Sequence, residues 1–190
     1  MSDDRFRQLT VEELDEDQRR AIAPVLEYSG SIGGPFNATL RSARLTETSF
    51  TLGSYLLFET PFSRRLTELA ILIGARVSGS QFEWWAHERR ALEEGVPQEV
   101  CDALREGRRP ASLSEEEAVL FDFGVEQLTA PEVSDATFSR AKEAFGERGV
   151  VDLAYLLGFY GMIAGVLKVA AVLPPDGSAP LAPMEAPFAA

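Results

Sequence analysis

The fold is decided by one stretch, Arg64-Arg-Leu-Thr-Glu68-Leu-Ala-Ile-Leu-Ile-Gly-Ala-Arg76-Val-Ser-Gly79-Ser80-Gln-Phe-Glu83-Trp84-Trp85-Ala-His87-Glu-Arg. Its apolar residues recur with helical spacing on both sides of Ser78-Gly79-Ser80, so it reads as two helices joined by a tight corner. It also holds the only histidine of the chain, His87, with Glu83 four residues before it. On a helix these two share a face, with Cβ atoms about 5–6 Å apart. A carboxylate beside an imidazole makes a proton-transfer pair, because it orients the ring and stabilises its cation. The same spacing also suits an ordinary pair on a helix surface, worth a few tenths of a kcal/mol.

Outward from this stretch, the punctuation predicts helices almost throughout. Thr10-Val-Glu-Glu13 has capping-box form and predicts a helix to about Tyr28. Ser29 to Pro35 is a breaker cluster. A short helix is expected over Phe36–Ser42, and Thr46 is read as the cap of another reaching Phe58. Ser63 should cap the helix carrying Glu68, which runs to about Val77. The helix of His87 should cover Gln81 to Glu94, with Gly95 beyond its end. Pro97 opens a short helix to Glu106. Ser114-Glu-Glu-Glu117 is a second capping box, for a helix to about Leu128. Ser134 caps one through Phe145, and a last helix covers about Glu147 to Val172. No sustained period-two alternation is present, so the fold class is all-α.

Composition bounds the function. At 190 residues the chain is one domain, residues 1–175, followed by a proline-rich tail, 176–190. Net charge is −12, and the basic residues are scattered among acids, which argues against nucleic acid and against anionic membranes. The longest uncharged apolar run, Leu153 to Leu167, is shorter than the about 20 residues a span needs and reads as a buried helix. The first residues, Met1-Ser-Asp-Asp-Arg5, lack an apolar segment, so a cytoplasmic location is expected. The single thiol, Cys101, sits in an amphipathic pattern and reads as packing. One His and one Cys give no recognisable metal-ligand spacing, so no metal is expected. No motif for an organic cofactor is present, and none is expected.

Within the last helix Gly158, Gly161 and Gly165 leave one side bare, at about 1 kcal/mol each relative to alanine. Close approach of another backbone would offset that cost. The tail favours extended conformation, either disordered or laid along a surface, with Leu181, Met184 and Phe188 as anchors.

The central block resembles the carboxymuconolactone decarboxylase family, which includes the alkylhydroperoxidase D-like proteins. The peroxidase branch of that family carries a Glu, a Cys-x-x-Cys twelve residues later, and a His four residues after the second Cys. Glu68, Ser80, Glu83 and His87 fall at those positions, so the acid and the histidine match and both cysteines are absent. Phe82-Glu83-Trp84 is similar to the aromatic-Glu-Trp run of the non-peroxidase members. The likeness extends from about Leu9 to Pro175, including Gly33-Gly34-Pro35-Phe36 and Leu157-Gly158-Phe159-Tyr160. It implies an oligomeric helical bundle, often a trimer or hexamer, with sites near subunit interfaces.

Serine and glutamate cannot form a disulfide or a sulfenate, so dithiol peroxidase chemistry is excluded at this site. Acid/base groups remain. The expectation is a cofactor-independent lyase of carboxymuconolactone decarboxylase type, acting on a small carboxylated or lactone-bearing substrate. An isomerase, cyclase or eliminase using the same residues is the first alternative. A non-catalytic small-molecule-binding protein is the second. His87 is assigned the proton transfer; Glu83 orients it or acts as a second base; Glu68 completes the relay by resemblance, unless it pairs with Arg64, Arg65 or Arg76. Ser80, Trp84, Tyr55, Arg41 and Tyr160 are the candidate substrate contacts, Arg41 as a carboxylate receptor. Trp85 is a further candidate wall.

Overall fold

The computed structural model describes residues 5–188. It is helical, with no strand among the described residues. After a 3-10 turn at Val11–Glu13 come α1 (Glu16–Ser29), α2 (Pro35–Thr39), α3 (Ala43–Phe58), α4 (Arg64–Ser78), α5 (Gln81–Glu93), α6 (Gln98–Arg105), α7 (Glu115–Thr129) and α8 (Asp135–Ala170).

Most boundaries follow the caps read from sequence. Ser63 and Ser134 accept from the backbone N–H groups of Leu66 and Thr137, and Ser114 forms a full capping box with Glu117. Gly146, at φ 69°, breaks α8 where the sequence separated two helices. Two expectations needed correction. The Thr10 capping box closes only a single 3-10 turn, because extended, buried Leu14 interrupts it and Asp15 starts α1 with a second box. Thr46 is not a cap: it lies fully buried within α3, and its hydroxyl donates to that of Thr39.

Helix α4 is the central strut. Every residue from Leu66 to Arg76 is buried, against α5, α7 and α8 in particular. Such a helix has no solvated stripe, so its sequence reads as apolar nearly all round. Arg65 reaches Glu117 at the start of α7 (2.6 Å) and ties the two helices at their ends. A smaller core of Leu14, Ile22, Val25, Ile32 and Leu40 joins α1 to the chain around α2. Phe36 and Phe50 at the edge of this core, and Leu57, Phe159 and Tyr160 at the edge of the main core around α4, border the site.

Helix α8 is long and apolar enough to cross a bilayer by length and composition. Its inner face packs on α4 and α7. Its outer face carries Val151, Tyr155, Met162 and Val169, all exposed, in line with Gly158 and Gly165. Among the described residues nothing outside the helix's own backbone comes within 4 Å of a Cβ placed on Gly158, Gly161 or Gly165. The backbone contact that would offset these glycines is therefore not made inside the described chain.

The tail is laid along the surface. Gln81 and Leu181 exchange two hydrogen bonds, and Arg76 donates to Ala182 O (2.9 Å). Leu181 is buried in the main core and Phe188 stacks edge-on against Phe121, whereas Met184 is largely exposed. Leu181→Ala should lower stability by about 2–4 kcal/mol while keeping the helical circular dichroism signal. An unchanged urea midpoint would show the tail detached in solution.

Candidate active site

The corner Ser78-Gly79-Ser80 turns α5 back along α4, with Gly79 at φ 67°. That return brings Glu68, at the middle of α4, against His87 on α5. His87 Nδ1 and Glu68 Oε2 are 2.6 Å apart. The other oxygen of Glu68 accepts from Arg64 (2.6 Å), one turn earlier. Glu68 is wholly inaccessible and His87 is 5% exposed. A carboxylate on Nδ1 sets the tautomer, leaving the proton there and the lone pair on Nε2. Burial pushes His87 below its ordinary value, against the upward pull of the Glu68 hydrogen bond and charge. The imidazole is therefore neutral at pH 7, with its lone pair on Nε2.

Glu83 stands one turn from His87 and does not orient it. Neither Glu83 oxygen has a hydrogen-bond partner among the described residues, and the residue is 3% exposed. The role expected of Glu83 is thus filled by Glu68, from the neighbouring helix. Burial raises the Glu83 carboxyl to about 8, with only a weaker opposing pull from the Ser80 hydroxyl. Glu83 is then a neutral acid at pH 7 beside a neutral base. Two titratable groups pushed to opposite roles by their surroundings are the signature of acid/base assignment.

Both groups line a cavity of about 460 Å³ enclosed by α1–α3, α5 and α8. Its walls are chiefly aromatic: Phe36, Phe50, Phe82, Trp85, Phe159 and Tyr160. Phe82 lies so close to Gly34 that a Cβ there would sit 2.6 Å from its ring, and Gly34 has φ 56°; only glycine allows this wall. The Tyr160 ring packs edge-on against His87, with centroids 5.1 Å apart. Burial, then the Glu68 and Glu83 carboxyls, holds its hydroxyl protonated.

Of the expected substrate contacts, Tyr160 lines the cavity and the others do not. Trp84 is fully buried in the core, its indole N–H donating to Glu88 (3.1 Å); its neighbour Trp85 is the tryptophan of the wall. The Tyr55 hydroxyl donates to Asp152 (2.9 Å), tying α3 to α8. Arg41 is spent on the backbone carbonyls of Asn37 and Arg7 and stacks on Phe6. Ser80 precedes α5 outside the cavity lining. Sequence reasoning missed Phe82, Phe159 and Arg90. Arg90 was detectable, because Glu83, His87 and Arg90 follow the i, i+4, i+7 spacing of one helix face.

The Glu83 carboxyl gains a proton on folding at pH values between its unfolded and folded ranges. A carboxyl raised to about 8 therefore weakens the fold as pH climbs from the ordinary glutamate range to 8. Glu83→Gln removes this loss. Its stability relative to the wild type should rise through that window and level off above it, by at most about 5 kcal/mol. Urea unfolding of both proteins at acidic and alkaline pH reads the difference, and a pH-independent difference would contradict a neutral Glu83.

No family model and no curated protein matches the sequence. Solved structures do match the fold. The alkylhydroperoxidase AhpD core of an uncharacterized peroxidase-related protein from Ralstonia eutropha aligns at TM-score 0.78 and 18% identity, covering 91% of this chain and 93% of that one. An uncharacterized peroxidase-related protein from Silicibacter aligns at 0.72 and 18%, covering 85% and 86%. A protein of unknown function from Agrobacterium tumefaciens aligns at 0.66 and 15%, covering 75% and 99%. The likeness in the central block thus extends to the architecture: this chain has the alkylhydroperoxidase D-like fold.

Proposed function

We propose that the chain is an acid/base enzyme of carboxymuconolactone decarboxylase type, acting on a small carboxylated or lactone-bearing substrate. One observation carries the reading. His87, held by Glu68 of α4, and the unpartnered carboxyl of Glu83 lie on one face of α5 and line the same aromatic cavity. An exposed histidine without a cavity would have favoured a non-catalytic binder.

The chemistry follows from the protonation states. His87 Nε2 takes the proton of the substrate acid, and Glu68 stabilises the imidazolium. The C–C bond to the carboxylate breaks, CO₂ leaves, and its electron pair enters the adjacent unsaturated carbonyl system. Glu83 gives its proton to carbon, and the imidazolium then restores Glu83. The aromatic walls lower the local dielectric and so strengthen each of these electrostatic contacts. The same two groups serve an isomerase equally well, His87 removing a proton from one carbon and Glu83 returning one to another. Cys101 has no part in either route: it is fully buried, and burial pushes its thiol up to about 11.

His87→Ala should lower kcat by about 10²–10⁴, the range for one general acid/base group. His87→Gln should not rescue it, since an amide shuttles no proton, and Glu83→Gln should also be harmful. Turnover in the wild type should fall above about pH 8, as Glu83 loses its proton. A panel of small unsaturated and lactone acids, followed by CO₂ release and loss of ultraviolet conjugation, provides the assay. Wild-type turnover in His87→Ala would refute the reading.

We also propose that copies of this chain cover the bare outer face of α8, giving a homo-oligomer. The exposed apolar row and the glycines that no described residue outside the helix approaches support this. Light scattering should return a multiple of 20.8 kDa. Met162→Asp should shift it to the monomer, and a monomeric wild type at low micromolar concentration would contradict the proposal.

A further inference from the structure

Arg90 is the arginine of the site, and its surroundings set it apart. The chain has 30 acidic residues against 18 basic ones, so arginines find carboxylates easily. Near the site, Arg64 holds Glu68, Arg65 holds Glu117, and Arg105 holds both Glu88 and Asp102. Arg89, its immediate neighbour, faces Glu93. Arg41 and Arg76, which have no carboxylate, donate to carbonyl oxygens. Among the arginines of the described chain, Arg90 alone has a guanidinium with neither an ion pair nor a hydrogen bond to another described residue.

It is not a solvated surface charge. Arg90 is half-buried and lines the cavity one turn beyond His87, on the face that carries Glu83. It acts on both His87 and Tyr160 through its charge. Among the charged and acidic groups of the cavity lining, it is the one fixed cation. The remaining walls are aromatic or aliphatic with a few hydroxyls, which cannot neutralise it. A guanidinium fork at the edge of an apolar pocket is complementary to a planar carboxylate.

Resting on the acid/base reading above, we propose that Arg90 anchors a substrate carboxylate that survives the reaction, with the unsaturated or aromatic body of the substrate against the ring-lined wall. The retained group is the better partner. A cation that grips a departing carboxylate stabilises the charge that must disappear as CO₂ forms, which opposes the step. The substrate class is therefore a small unsaturated or aromatic acid with an anchoring carboxylate distinct from the reacting centre.

Cinnamate and cinnamamide share a shape and differ in charge, so they serve as probes in calorimetric titrations of the full chain. The wild type should prefer the anion by about tenfold or more, as a charge-assisted fork requires. Arg90→Gln should abolish the preference, and Arg90→Lys should retain part of it. Arg89→Gln should leave it in place, because Arg89 is exposed, faces Glu93 and lies outside the cavity lining. A thermal melt of each variant establishes folding. Retention of the preference in Arg90→Gln, or no preference for the anion in the wild type up to millimolar concentration, would overturn the proposal. Failure of the acid/base reading shows elsewhere, as unimpaired turnover in His87→Ala, and leaves the binding result intact.

Discussion

The structure turns on a buried hydrogen bond between two helices, from His87 on α5 to Glu68 on α4. A wholly buried carboxylate is costly unless each oxygen has a partner. Arg64 supplies one partner and His87 the other. Satisfying Glu68 therefore fixes where α5 lies on α4, which tautomer His87 adopts, and which nitrogen faces the cavity. The two helices need the glycine corner between them to come back into register, and the core on the far side of α4 holds that strut in place. Removing either partner leaves a buried group unsatisfied, at about 3–5 kcal/mol, so fold and chemistry share this bond.

Glu83 presents the opposite case. It is as buried as His87 but has no partner, and the fold tolerates it because a carboxyl at neutral pH can avoid the cost of charge by keeping its proton. One turn of helix thus holds a base that burial keeps neutral and Glu68 orients, and an acid that isolation keeps protonated. Aromatic residues around both exclude water, and that exclusion is what keeps the second group protonated. An unpartnered buried carboxyl at one position, where the other acids of the described residues are paired or solvated, points to function rather than to stability.

Much of the architecture was legible in the sequence because it is local. Ser63, Ser114 and Ser134 cap helices through bonds to residues three positions away, and Gly146 breaks α8 by its own backbone geometry. Of the candidate site, Glu83 and His87 on α5 were singled out by their four-residue spacing, and Glu68 on α4 by the resemblance alone. What failed was long-range. Thr46 has the chemistry of a cap, but tertiary packing buries it against Thr39. Trp84 and Trp85 differ by one position on a helix, and only the packing of α4 decides which faces the core. Arg41 and Tyr55 have partners on distant segments that no window contains. The exchange of roles between Glu68 and Glu83 has the same origin, since a four-residue spacing favours Glu83 while the helix pairing delivers Glu68.

The central claim is that Glu83 is a neutral acid at physiological pH beside a neutral His87. Carbon-13 NMR of the protein labelled at glutamate side-chain carboxyls, with Glu83→Gln to assign the resonance, reads this directly. A single carboxyl titrating at about 8 is the result expected from its burial. Titration of Glu83 with the solvated glutamates, in the ordinary carboxylate range near 4.3, would contradict it and remove the acid from the proposed chemistry.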